Sequence, residues 1–230
     1  MKRVVVIKHS GASAGRLGER LDRSGVEWVE INAAEGDSLP RMEEVGALVI
    51  MGGRMGAYET EEHPFLAEEM AMARRAVDGE VPVLGICLGS QLLAAALGGS
   101  AYLADRPEVG PISVLLTEPG YRHPVVSRVA GRRVFSMHQD TFDPPPGSVL
   151  LAYSRRFPQA FSVGSALGIQ FHPETPNAEA NEWAYNGARG MLERAGQTPE
   201  GFAAEMAEAE GEIVDGGHQL FDAWIAGLDG

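Results

Sequence analysis

The chain has 230 residues and a single cysteine, Cys87, set in VPVLGICLGSQLLAAALGG (81–99). An apolar, strand-like run ends at this residue and a helical pattern begins after it. A thiol at such a corner stands at the top of a parallel sheet, where ligands bind. The helix N-terminus behind it favours thiolate over thiol. Gly85 and Gly89 flank it as G-x-C-x-G, a spacing that lets the backbone turn tightly. A nucleophilic thiolate needs a base, and the base needs an orienting group. Of the histidines His9, His63, His123, His138, His172 and His218, only His172 directly follows a strand-like run and has a carboxylate, Glu174, two residues on. Pro173 stiffens that turn, so Glu174 can face one ring nitrogen while the other faces Cys87. Gln91 lies one helical turn beyond Cys87 and faces the same way. The chemistry of such a set is nucleophilic catalysis by the thiolate. Each motif alone has a plainer reading: a lone cysteine packs as a small hydrophobe, and His-Pro-Glu forms a surface turn.

The elements that must position these residues follow from the patterning. RVVVIKH (3–9), VEWVEI (26–31), GALVIMGG (46–53) and VPVLGI (81–86) read as strands. AGRLGERLDRSG, with Leu17 and Leu21 at i,i+4, HPFLAEEMAMARRAVDGE (63–80) and LGSQLLAAALGG (88–99) read as helices, the last closed by Gly98 and Gly99. In the second helix Phe65, Leu66, Met70 and Ala73 form the apolar stripe. Strands alternating with helices predict parallel pairing in a three-layer α/β sheet. From 101 to 171 the rhythm changes to short strands between Pro/Gly-rich turns. ISVLLT, RRVFSMH, SVLLAYS and QAFSV are expected as antiparallel additions to the sheet, with LGIQFH rejoining its centre. NAEANEWAYNGARGMLERAG (177–196) reads as one helix. AGQTPEG (195–201) reads as a linker to a tail with two amphipathic helices, around Phe202, Met206 and Ile213 and around Leu220, Phe221, Trp224, Ile225 and Leu228.

Composition bounds the function classes. The formal net charge is −13, which argues against nucleic acid as a partner. Residues 197–230 carry eight acids and no Lys or Arg, so they supply −8 of that charge. One cysteine permits no internal disulfide. No run approaches the roughly 18 apolar residues of a membrane span, and the N-terminus lacks the pattern of a signal peptide. The expectation is a cytoplasmic protein that does not engage a membrane.

GICLGSQ and GIQFHPE together, with MGGRMGAYE (51–59) and FSMHQDTFDPPPG (135–147) in the right order, resemble the class I, triad-type glutamine amidotransferases, most of all freestanding proteins similar to the glutaminase part of GMP synthase. The resemblance covers residues 3–190. It implies a flavodoxin-like α/β fold with a mixed, mostly parallel sheet over residues 1–196; the acidic helical extension over 197–230, read from composition and spacing, has no counterpart in the resemblance. It implies Cys87 as nucleophile, His172 as general base and acid, Glu174 as orienter, and the N–H groups of Gly53 and Leu88 as an oxyanion hole. Gln91 would contact substrate, and the backbone at Gln139 and Asp140 would grip its amino-acid end. No metal or organic cofactor is implied. The substrate would be glutamine or a γ-glutamyl compound, hydrolysed through a Cys87 thioester with release of ammonia.

Two departures bear on this. Arg54 replaces the proline that commonly follows the two glycines, which is expected to free the oxyanion loop. Gln139 replaces a common glycine, which is expected to narrow the glutamine pocket or change its substrate. The chain has no P-loop and no second large domain, so an ammonia-accepting synthetase subunit or stand-alone γ-glutamyl hydrolysis is expected. Two other readings are a cysteine peptidase-like or other amidase on the same corner, and a non-catalytic binding or regulatory subunit that keeps the fold. The apolar residues of the tail either pack on the body or dock a basic partner or a second copy of the chain.

Overall fold

The computed structural model describes residues 2–9 and 13–229. β1 (Arg3–Lys8), α1 (Gly15–Ser24), β2 (Trp28–Asn32), β3 (Val45–Ile50), α2 (Phe65–Asp78), β4 (Val83–Ile86) and α3 (Leu88–Ala96) alternate as the patterning predicts. They are followed by β5 (Ser100–Ser113), β6 (Leu115–Leu116), the short α4 (Glu118–Arg122), β7 (Arg133–Asp143), β8 (Val149–Tyr153), β9 (Pro158–Val163) and β10 (Ala166–Ile169). α5 (Asn177–Asn186), α6 (Arg189–Ala195) and α7 (Pro199–Ala226) complete the chain.

Eight strands form one sheet in the order β2-β1-β3-β4-β10-β9-β8-β6. The first five run parallel and the last three antiparallel. β10 pairs with β4 over Ala166–Ile169 against Val83–Ile86. The last strand therefore does rejoin the centre, and the residues just past its end emerge beside those just past β4. That register sets 170–174 next to Cys87. The sheet alternates sides with period two. Val4, Val6, Val49 and Ile86 face α1 and the C-terminal half of α7, while Val5, Ile7, Leu48 and Ile50 face α2 and α3.

Three expectations need correction. RRVFSMH does not extend the main sheet, and ISVLLT does so only in part: Ile112 and Ser113 end β5, which pairs antiparallel with β7 in a two-stranded sheet, while Leu115–Leu116 form β6 at the edge of the main sheet. Phe135 and Met137 of β7 bury against α5, α6 and the N-terminal half of α7, so a third apolar cluster holds this ribbon off the main sheet. The helix over 177–196 is broken, because α5 stops at Asn186 and α6 starts at Arg189. The tail is one helix of 28 residues, not two. Its apolar stripe runs on through Gly216 and Gly217, and a Cβ at Gly217 would lie 2.5 Å from the Pro173 carbonyl oxygen. The glycine pair is thus not a break, and Gly217 is a packing requirement. Its cost in helix propensity, about 1 kcal/mol per glycine, is offset by burial of Phe202, Met206, Leu220 and Phe221. No helix among the described residues is long and apolar enough to cross a membrane.

Candidate active site

Cys87 sits between β4 and α3 with φ 50° and ψ −109°. This left-handed conformation is costly for a residue with a side chain. The turn is thus carried by the cysteine itself, while the glycines beside it serve close approach. A Cβ at Gly89 would overlap the Ile50 carbonyl oxygen, and one at Gly85 would meet the Gly89 carbonyl. Hydrogen bonds fix the corner, among them that of the Gln91 N–H to the Cys87 carbonyl at 3.2 Å. The Cys87 N–H donates to the Ile169 carbonyl at 2.8 Å, and the Cys87 carbonyl accepts from the Ser90 N–H at 3.0 Å and the Ser90 hydroxyl at 2.7 Å. The thiol is 6% exposed, at the start of α3.

His172 and Glu174 follow β10 and reach the same point. The His172 N–H donates to the Phe135 carbonyl at 2.7 Å, tying the turn to β7. Its Nδ1 lies 2.7 Å from Glu174 Oε1, which also accepts from the Thr175 hydroxyl at 3.1 Å. Burial pushes the imidazole down. The Glu174 carboxylate, the charge of Cys87 and a hydrogen bond with Cys87 outweigh it and hold His172 well above its ordinary 6.5. Behind the turn, the buried Arg16 Nη1 donates to the Thr175 carbonyl at 2.5 Å, and the Arg16 N–H donates to the Glu174 carbonyl at 2.9 Å. Burial lowers the Arg16 pKa, and the nearby Glu174 charge opposes that.

The remaining sequence candidates border the same cavity, which has a volume of about 1540 Å³ and includes Gly53, Leu88, Gln91, Gln139 and Asp140 in its wall. Gly52 lies against Cys87 and His172: a Cβ there would sit 3.0 Å from His172 Cε1 and 3.5 Å from Cys87 Cβ. Among the described residues, neither the Gly53 N–H nor the Leu88 N–H is engaged in a hydrogen bond. Gln91 Nε2 donates to the Asp140 carbonyl at 3.1 Å and to Gln170 Oε1 at 3.2 Å, so its two donors are occupied by protein. The Tyr58 hydroxyl donates to Asp140 Oδ1 at 2.9 Å. Burial and that carboxylate push the Tyr58 phenol up to about 12. Gln139 Oε1 accepts from Arg194 Nη1 at 3.2 Å in an exposed contact at the cavity wall. Arg54 reaches across to Gly187, in the gap between α5 and α6.

Two buried His–Glu contacts beside the site were not singled out from sequence. His9 Nδ1 lies 2.9 Å from the Gly52 carbonyl and its Nε2 3.2 Å from Glu69. His138 Nδ1 lies 2.8 Å from the Asp140 carbonyl and its Nε2 3.3 Å from Glu108, which also accepts from Gln159. The one local signal was Glu69, a carboxylate on the buried stripe of α2 with Leu66, Met72, Ala73 and Ala76. Its partner lies 60 residues away.

With this geometry in view, the comparisons with known proteins are decisive for the family. The family model of the class-I glutamine amidotransferases matches residues 14–189. The chain belongs to the class-I glutamine amidotransferases. A crystal structure of a glutamine amidotransferase from Thermotoga maritima superposes with a TM-score of 0.86 at 30% identity, covering 100% of this chain and 99% of that one. A GMP synthase [glutamine-hydrolyzing] of Thermomicrobium roseum is 34% identical over 175 residues, which are 74% of this chain and 31% of that protein. A gamma-glutamyl-L-1-hydroxyisopropylamide hydrolase of a Pseudomonas species is 31% identical over 157 residues, 64% of this chain and 52% of that protein. This amidotransferase chain therefore spans about a third of the length of the one relative and half of the other. The architecture is that of the family: an α/β fold with a mostly parallel central sheet and a C-terminal helix.

Proposed function

We propose that the protein hydrolyses the side-chain amide of glutamine through a thioester on Cys87. The observation that carries this is the constellation at the β4–α3 corner: a thiol on a strained helix-opening residue, facing an imidazole held from behind by a buried carboxylate at 2.7 Å. The reactive form is a Cys87 thiolate beside a His172 imidazolium, and the carboxylate and Cys87 hold His172 well above its ordinary 6.5. The sulfur attacks the amide carbon, and the carbonyl electrons move onto oxygen. The unengaged N–H groups of Gly53 and Leu88 receive that oxyanion, a role worth about 10²–10³ in rate per donor. The imidazolium protonates the amide nitrogen, the C–N bond breaks, and ammonia leaves a glutamyl thioester. The neutral imidazole then takes a proton from water, which attacks the thioester carbon. The C–S bond breaks, and glutamate and the thiolate are regenerated. The backbone around Gln139 and Asp140 holds the amino-acid end, and Gln91, whose two N–H donors are bonded to protein, contacts the substrate through its Oε1. The freed ammonia passes to a separate synthetase subunit.

A second reading, hydrolysis of a larger γ-glutamyl amide, draws on the size of the cavity. Its volume of about 1540 Å³ exceeds the roughly 300–1,000 Å³ usual for small-molecule sites, and a related protein is named for such an amide. An ammonia-release assay on glutamine, with amine release measured for a panel of γ-glutamyl amides, tests both. The expected result is turnover by the wild type and a fall of at least about 10³-fold in Cys87→Ala and in His172→Ala. Selective turnover of the amides would favour the second reading. No turnover of any compound, with or without a synthetase, would favour a binding or regulatory subunit.

A further inference from the structure

We infer that His9, backed by Glu69, is a positioning residue that sets the oxyanion-binding direction of the Gly52–Gly53 peptide. The inference rests on the proposed hydrolysis for its functional consequence, and on geometry for the rest. A carbonyl oxygen can only accept, so the 2.9 Å contact requires His9 Nδ1 to donate to the Gly52 carbonyl. In a trans peptide the C=O and the following N–H point in opposite directions. Pinning the Gly52 carbonyl on one side therefore aims the Gly53 N–H at the other. The two sides are distinct here. His9 is 1% exposed and lies behind the loop, with its ring 6.0 Å from that of Phe65. Gly52, Gly53, Cys87 and Leu88 form the cavity wall in front.

This peptide needs an anchor. Both of its residues are glycines, for which rotation of the peptide unit meets little steric resistance. The residue that follows is Arg54, which has none of the fixed φ of a proline. The His9 ring is itself fixed. Both Glu69 oxygens, at 3.2 and 3.3 Å, face its Nε2, and Glu69 is fully buried in α2. A Cβ at Gly53 would meet the His9 ring at 3.1 Å, so ring and peptide are in close packing contact. A peptide flip would turn the Gly52 carbonyl toward the forming oxyanion and remove the Gly53 donor together.

The test compares His9→Leu with His9→Asn. An Asn amide places its nitrogen near the position of His Nδ1 and restores the donor to the Gly52 carbonyl. His9→Leu is expected to lower kcat about 10²-fold, the cost of one oxyanion donor, with KM within about twofold. Alkylation of Cys87 by iodoacetamide forms no oxyanion, so its rate should stay within about twofold of wild type. His9→Asn should recover at least about tenfold of the lost kcat. A crystal structure of His9→Leu should show the Gly52–Gly53 peptide rotated. Unchanged kcat in His9→Leu, equal loss of alkylation, or no recovery in His9→Asn would overturn the inference. Should the wild type turn over none of the compounds, the proposed hydrolysis fails on its own. The crystal structure then still decides, since an unrotated peptide in His9→Leu contradicts the positioning role.

Discussion

At the residue scale, the site is built from groups that other groups hold still. In the proposed reaction Glu174 acts through His172, and its effect is electrostatic as well as orienting. His172 sits well above its ordinary 6.5 because Glu174 and Cys87 outweigh burial. A folded pKa that is raised stabilises the protein fully below the unfolded value near 6.5, and that contribution is lost as pH rises through the folded value. Glu174→Gln removes the carboxylate charge, so the alkaline limb of the pH–kcat/KM profile, where the imidazolium is lost, should move to lower pH. Turnover should fall less than in His172→Ala, since a misoriented base is still a base. An alkaline limb that stays in place would show that Glu174 does not set the protonation of His172. Gly89→Ala tests the close approach at the corner. With the Ile50 carbonyl in the way of a Cβ, it should cost about 1–3 kcal/mol, read by denaturant unfolding. A cost near zero would show that the corner relaxes freely.

At the element scale, strands and helices were legible where period and length agreed. β1, β3 and β4 are short apolar runs rich in β-branched residues, and β10 does rejoin the sheet centre beside β4. Nothing local marks β5 and β7 as leaving the main sheet. That depends on Phe135 finding Phe202, 67 positions later, at 5.9 Å between ring centroids. The break between α5 and α6 was hidden for a related reason: Gly187 has to admit the Arg54 guanidinium from the other side of the cavity. At the site, Cys87, His172 and Glu174 were legible because two lie two residues apart and the third occupies a recognisable corner. His9–Glu69 and His138–Glu108 were not, since each joins residues 30 or more apart. Within α7, Phe202→Ala should cost about 3–5 kcal/mol of stability. Thr198→Ala, which removes the hydroxyl that accepts from the Gly201 N–H, should cost about 1 kcal/mol. Both are measurable by chemical denaturation. Equal and small effects would mean that the N-terminal half of α7 is only loosely attached.

At the scale of the whole molecule, the acidic extension meets basic residues of the body. Asp222 faces Arg20 at 2.6 Å, Glu208 and Glu212 face Arg133 at 2.9 and 2.8 Å, and Asp215 faces Arg132 at 3.7 Å. These pairs are at least partly exposed and set orientation more than stability. The apolar stripe of α7 joins two clusters of the body. The change of composition at residue 197 falls in the turn between α6 and α7, and we propose that the parts on either side fold as one unit. Truncation after Arg194 should therefore lower the melting temperature of the monomer. An unchanged melting temperature with lost self-association would instead make α7 a docking element. α7 also backs the candidate site, because Gly217 packs on the carbonyl of Pro173, between His172 and Glu174.

The central claim is that the reaction passes through a covalent glutamyl–Cys87 intermediate. It is tested most directly by acid-quenching the protein during turnover of its best γ-glutamyl substrate and mapping adducts by peptide mass spectrometry. The expected result is a glutamyl addition on the peptide that carries Cys87, absent from Cys87→Ala. Amide hydrolysis without any adduct on Cys87, or with activity retained in Cys87→Ala, would contradict it.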